Sequence, residues 1–189
     1  MKVKTLIRLI LTATTVALFG CGGGDGGGTA TTPPATTKPT AGTLSLSTTG
    51  TLPAGTLIGG IDVTVELPAG VTVKTQTAFP LEPEAGVVTI SGEPARAGGQ
   101  TISGTKFTAA SGATPAALKF IIGSANSAGG ALSGFLPGEF VSIKCDVATS
   151  AVFPDASAFK ILSINVLDGT NAANSLNSTV QGATAFNAI

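Results

Sequence analysis

The chain has 189 residues with Lys+Arg 10, Asp+Glu 10 and no His, so its formal charge is zero; it holds Cys 2, Phe 9, Trp 0 and Tyr 0. The lack of His removes histidine acid–base catalysis, imidazole metal ligation and histidine-ligated haem. The lack of Trp and Tyr leaves Phe as the aromatic platform for sugars and bases, and the balanced charge removes the electrostatic footprint of nucleic-acid binding.

Residues 1–20 read as a signal peptide. Lys2, Lys4 and Arg8 form a positive leading region, an apolar stretch runs from Leu9 to Phe19, and Gly20 places a small residue before a cut. The stretch is too short and too rich in Thr to read as a membrane span. Removing it leaves seven basic side chains against ten acidic, a net of −3. The remaining chain is mildly acidic, with no face for a polyanion.

Leu18-Phe19-Gly20-Cys21 resembles the lipobox of bacterial lipoproteins. The resemblance implies cleavage after Gly20, a diacylglycerol thioether on Cys21 and acylation of the new amino group. Phe19 departs from the small or aliphatic residue usual at its position. One acyl chain binds a bilayer marginally, at about 0.8 kcal/mol per buried methylene, whereas two or three make a stable anchor without a spanning helix. Gly22, where that family uses Asp for inner-membrane retention, implies sorting to an outer membrane.

Residues 22–42, GGGDGGGTATTPPATTKPTAG, carry almost no apolar side chain to offset the entropy of ordering. With Cys21 they read as a tether of at most roughly 70 Å when extended and about 25 Å as a coil.

From residue 43 to 189 the pattern becomes short apolar alternations broken by Gly, Pro and Ser/Thr. Leu44 and Leu46 alternate with Thr43, Ser45 and Ser47. Ile61, Val63, Val65 and Leu67 share one face, and Val71 and Val73 keep its parity across Pro68-Ala69-Gly70. Val88 and Ile90 form a pair, and Ile102 and Phe107 flank a Ser-Gly-Thr-Lys stretch. Leu118, Phe120 and Ile122 follow, then Val141, Ile143, Cys145 and Val147. Leu162, Ile164 and Val166 come after Phe159 and Ile161, and Val180 and Phe186 lie near the end. Period-two alternation predicts half-buried strands, and eight or nine of them predict an all-β antiparallel sandwich or barrel. The strongest helical candidate is a single turn over Thr114–Leu118. A domain of this length buries roughly 70% of its unfolded surface in one core without a disulfide.

Three blocks together are similar to cohesin domains. They are IGGIDVTVELPAGVTV at 58–73, LPGEFVSIKCDV at 136–147 and PDASAFKILSINVLDGTN at 154–171. The resemblance implies a jelly-roll-like sandwich of about nine strands, in a class that also contains carbohydrate-binding modules. It implies a non-catalytic role in binding another protein, with no cofactor. No contact residue of that family has a clear counterpart here.

Other constellations carry less. Glu82 and Glu84 flank Pro83 and point the same way in an extended chain, about 7 Å apart, within the range of a glycosidase pair. A cleft and a raised pKa are also needed, and two solvated loop charges explain the same residues. Asp168, Asn171, Asn174 and Asn177 offer oxygens to Ca²⁺, but without EF-hand spacing, and turn chemistry accounts for them. Cys145 lies on the inward parity of its strand, which predicts an inert buried thiol. The loop Ser124–Phe135 is long and Gly-rich, and Phe135, Leu136 and Phe140 read as a cap on the core. The expectation is a lipid-anchored cell-envelope domain, membrane-bound through its acyl chains. It binds an envelope or extracellular protein, or alternatively a polysaccharide, and no nucleic acid; the expectation includes neither catalytic nor metal-binding residues.

Overall fold

A computed structural model describes residues 38–124, 134–171 and 174–189. The expected signal peptide, Cys21, nearly all of the tether and most of the Ser124–Phe135 loop lie outside the described residues. Among the described residues the chain forms β1 (Ala41–Gly50), β2 (Ile58–Leu67), β3 (Val71–Thr72), β4 (Val88–Ile90), β5 (Gln100–Thr108), β6 (Ala116–Ser124), β7 (Glu139–Val147), β8 (Lys160–Asp168) and β9 (Val180–Ala188). The strands make two antiparallel sheets. In one, β7, β1 and β9 lie side by side, and β3 and β4 share the outer edge of β7. The other runs β5-β6-β2-β8. The fold is an all-β sandwich.

The alternating residues face each other across the two sheets. Leu44 and Leu46 of β1 and Val141 and Ile143 of β7 are fully buried. So are Ile61, Val63, Val65 and Leu67 of β2, and Leu118, Phe120 and Ile122 of β6. Val71 and Val73 are buried as their parity predicts, but from the opposite sheet. The chain turns at Pro68–Gly70, where Val71 N–H donates to the Pro68 carbonyl, and crosses from β2 to the edge of β7.

Four irregularities interrupt the simple alternation among the described residues; one leaves Gly59 as the extra residue between Ile58, paired with Asp168, and Gly60, paired with Leu167. In β5, Ile102 pairs with Ile122 and Phe107 with Leu118, although their positions have opposite parity. One extra residue between Ser103 and Lys106, at Gly104 with φ 60°, restores both to the core side. In β8, Leu162 is not a core residue as expected: it is 55% exposed. Val65 pairs with Ile161 and Thr64 with Ser163, so Leu162 is the unpaired residue of a bulge and Ile161 takes the inward place. In β7, Phe140 is the extra residue opposite the Leu46–Ser47 step, and both Phe140 and Val141 are buried. Thr48, also buried, closes this bulge: its hydroxyl donates to the Gly138 carbonyl and accepts from Gly138 N–H.

The helical turn expected over Thr114–Leu118 is absent. Ala116 and Ala117 pair with Leu67 and Glu66 as the start of β6, because pairing satisfies their backbone and buries Leu118. The short helix is α1 (Gly92–Ala97), which carries Glu93 in its first turn and Arg96 in its last. At the opposite side, Phe186 stacks on Phe153 with ring centroids 5.1 Å apart and tilts against Phe159 at 4.6 Å.

The shifted parity is directly testable. Phe120→Ala is expected to lower stability by about 3–5 kcal/mol. Leu162→Ser, at a position that the plain alternation makes core, is expected to change it by less than about 0.5 kcal/mol. Urea unfolding of the two variants measures both.

Candidate functional site

Between β3 and β4 the chain leaves the edge of β7 and returns as a small hairpin. Glu84 N–H donates to the Lys74 carbonyl, and Gln76 N–H to the Glu82 carbonyl. Thr75 and Pro83 form a bridge. Val73, Pro83 and Val87 are buried and root the hairpin in the core. Leu81 ties it sideways, its carbonyl accepting from Phe107 N–H of β5 at 2.7 Å. At the tip, residues 77–82 are all exposed, and Phe79 is 58% and Leu81 51% accessible. A Phe and a Leu held in water on a braced support are the outstanding apolar feature of this edge. Sequence reasoning missed them, because Ala78-Phe79-Pro80-Leu81 has no period-two pattern. The signal was there as an apolar run between turn residues.

Glu82 and Glu84, weighed as a carboxylate pair and read as two solvated loop charges, lie on the returning arm of this hairpin, and both are exposed. Glu82 lines a shallow hollow of about 350 Å³ with Gln76, Pro83 and residues 102–105; Glu84 does not. The Glu82 carboxylate accepts from Gln76 Nε2 at 3.4 Å. The structure therefore does not bring the two carboxylates onto one cleft.

The Asp168–Asn177 residues close the connection from β8 to β9. Asp168 Oδ1 accepts from both the N–H and the hydroxyl of Thr170, each at 2.7 Å. The Thr170 hydroxyl and backbone, with further hydrogen bonds from Asn171 and Asn174, hold its carboxyl below the usual range against the opposing effect of burial. Asn177 works as a piece of strand: its Oδ1 accepts from Val166 N–H at 2.8 Å and its Nδ2 donates to the Ile164 carbonyl at 2.9 Å. Leu176 N–H completes the edge by donating to the Val166 carbonyl. These oxygens are engaged in turn and edge hydrogen bonds. Among the described residues no three His, Cys, Asp or Glu side chains converge on a metal position.

Cys145 is 2% exposed, between Lys144 and Asp146 on β7. Burial, with a smaller contribution from the Asp146 charge, pushes its thiol up to about 12 from an ordinary 9.0. A thiol held neutral in this way is neither a nucleophile nor a metal ligand at neutral pH. Phe135 and Phe140 cap the core as expected, whereas Leu136 is 55% exposed and is not part of the cap.

No protein-family model, no curated protein and no solved structure matches the chain.

Two measurements follow from this geometry. Cys145 gains stability from its raised pKa below pH 9.0, and that contribution fades as pH rises toward about 12, because the unfolded thiol ionises first. Cys145→Ala is expected to flatten this alkaline limb of the stability profile, and the Cys145 thiol should react with a thiol reagent only after the domain unfolds. Asn177→Ala is expected to speed amide hydrogen exchange at Val166 while leaving Phe120 protected.

Proposed function

We propose that the chain is an exported lipoprotein, cleaved after Gly20 and acylated on Cys21, that carries a cohesin-like, non-catalytic protein-binding domain at an outer membrane. The charged, apolar and small-residue order of positions 1–21 supports export and acylation. Among the described residues, nine strands in two antiparallel sheets support the cohesin-like reading of the 58–73, 136–147 and 154–171 blocks. The buried Cys145, and a hollow that Glu82 lines without Glu84, favour contact over chemistry.

The observation that carries the binding role is the exposed Phe79–Leu81 tip. Exposed apolar side chains on a rigid support act as anchors, because their burial releases water while their ordering cost is already met. The hairpin is rigid by its bonds to Lys74, Gln76 and Phe107 and by the burial of Pro83. A protein partner would receive Phe79 and Leu81 in an apolar recess.

Mass spectrometry of the mature protein is expected to show a diacylglyceryl adduct on Cys21, and Cys21→Ser is expected to move the protein from the membrane to the soluble fraction. A photo-crosslinking residue at Phe79 is expected to give one discrete adduct in the cell envelope, lost on adding Leu81→Ser. An intact Met1 overturns the anchor, and no adduct at any site on the tip overturns the partner.

A further inference from the structure

The outer face of the β5-β6-β2-β8 sheet carries a trough that no motif foretold. Its floor is two glycines paired across adjacent strands, Gly60 of β2 and Gly123 of β6. The next pair along the same strands is offset by one pleat, and the following outward row is Ile121, Asp62 and Asn165, set side by side by the register of β6, β2 and β8. Leu167 pairs with Gly60 and closes the β8 end. These residues line a hollow of about 340 Å³. A Cβ built on Gly123 would meet no atom of the described residues within 4 Å, which leaves the trough open to them where that side chain would stand.

The groups around it are of two kinds. Ile121, 38% exposed, and Leu167 present aliphatic surface. Asp62 and Asn165 present polar ends whose directions are set by neighbours. Lys119 Nζ lies 3.4 Å from Asp62 Oδ2, which leaves Oδ1 as the oxygen for a ligand. Ser175 Oγ donates to Asn165 Oδ1 at 3.2 Å, which leaves the amide Nδ2 as the donating end. The carboxylate is balanced by the ammonium beside it, so the trough favours neither ion. An acceptor and a donor side by side match vicinal hydroxyls, and the aliphatic groups match the C–H face of a ring. The volume is at the lower end of small-ligand sites, about 300–1,000 Å³.

We infer that this trough binds a pyranose unit of a neutral polysaccharide, hydroxyls on Asp62 and Asn165 and ring carbons on Ile121 and Leu167. The inference stands apart from the lipid anchor and the Phe79 tip, and it fails or holds without them. Without an aromatic platform the affinity is weak, with a Kd on the order of 1 mM for an oligosaccharide.

The test uses the ¹⁵N-labelled full chain carrying Cys21→Ser, titrated with cellotetraose, xylotetraose and chitotriose. Saturable shifts of the Gly60 and Gly123 amides with at least one of them are expected. Gly123→Leu, which fills the trough without backbone conflict, is expected to weaken binding by at least about tenfold. Asp62→Asn, which keeps the shape and removes the charge, gives a second reading if the leucine variant does not fold; it too is expected to weaken binding. Shifts confined to other residues, no shift up to about 10 mM, or binding unchanged in the variants that fold would overturn the proposal.

Discussion

Two sheets of alternating side chains can share a core only if every strand keeps its aliphatic parity toward the other sheet while both sheets twist. That constraint governs this domain. Ile61, Val63, Val65 and Leu67 on one side and Leu44, Leu46, Val141 and Ile143 on the other are fully buried. A one-residue slip would expose an entire set. The bulges at Gly59, Gly104, Phe140 and Leu162 are places where the chain inserts a residue without giving up the core side. They also twist and interrupt the edges β5 and β8, and on β8 the side chain of Asn177 supplies the missing partner. The same requirement that makes the core thus shapes the rim.

The rim and the outer faces are then left to carry whatever the protein does. The thiol is neutralised by burial, and the low carboxyl of Asp168 serves a turn. Among the described residues, two outward features are an apolar hairpin tip and a glycine-floored trough on the face of one sheet. Both depend on the sandwich for rigidity. The tip is fixed by the buried Pro83 and by Phe107 of β5, and the trough by the register of three strands. The two devices differ in chemistry, one offering hydrocarbon and the other hydroxyl-matching polar ends.

Much of the fold was legible in the sequence, because period-two burial is written residue by residue. The inward parity of Ile61–Leu67, Leu118–Ile122 and Val141–Val147, and the buried state of Cys145, could be read directly. The bulges could not. Leu162 and Ile161 differ by one position, and only pairing with Thr64 and Val65 decides between them. The helix over Gly92–Ala97 is too short to show a helical period, although Glu93, Arg96 and the following glycines mark its ends. The hairpin tip lacked a pattern, and the trough arises from two glycines more than sixty positions apart, adjacent only after pairing. Local signals were readable, and features made by register were not.

The order in which the strands join has a further consequence. β1 lies between β7 and β9, with Gly42 paired to Ala188 and Gly50 to Val180, so the first strand waits for the last. Closing so long a loop is slow, and sheets dominated by distant pairings fold late. A nascent chain of this topology stays open until its final residues emerge. The edge that β1 turns toward β9 therefore stays unpaired for as long as the chain between them is being made.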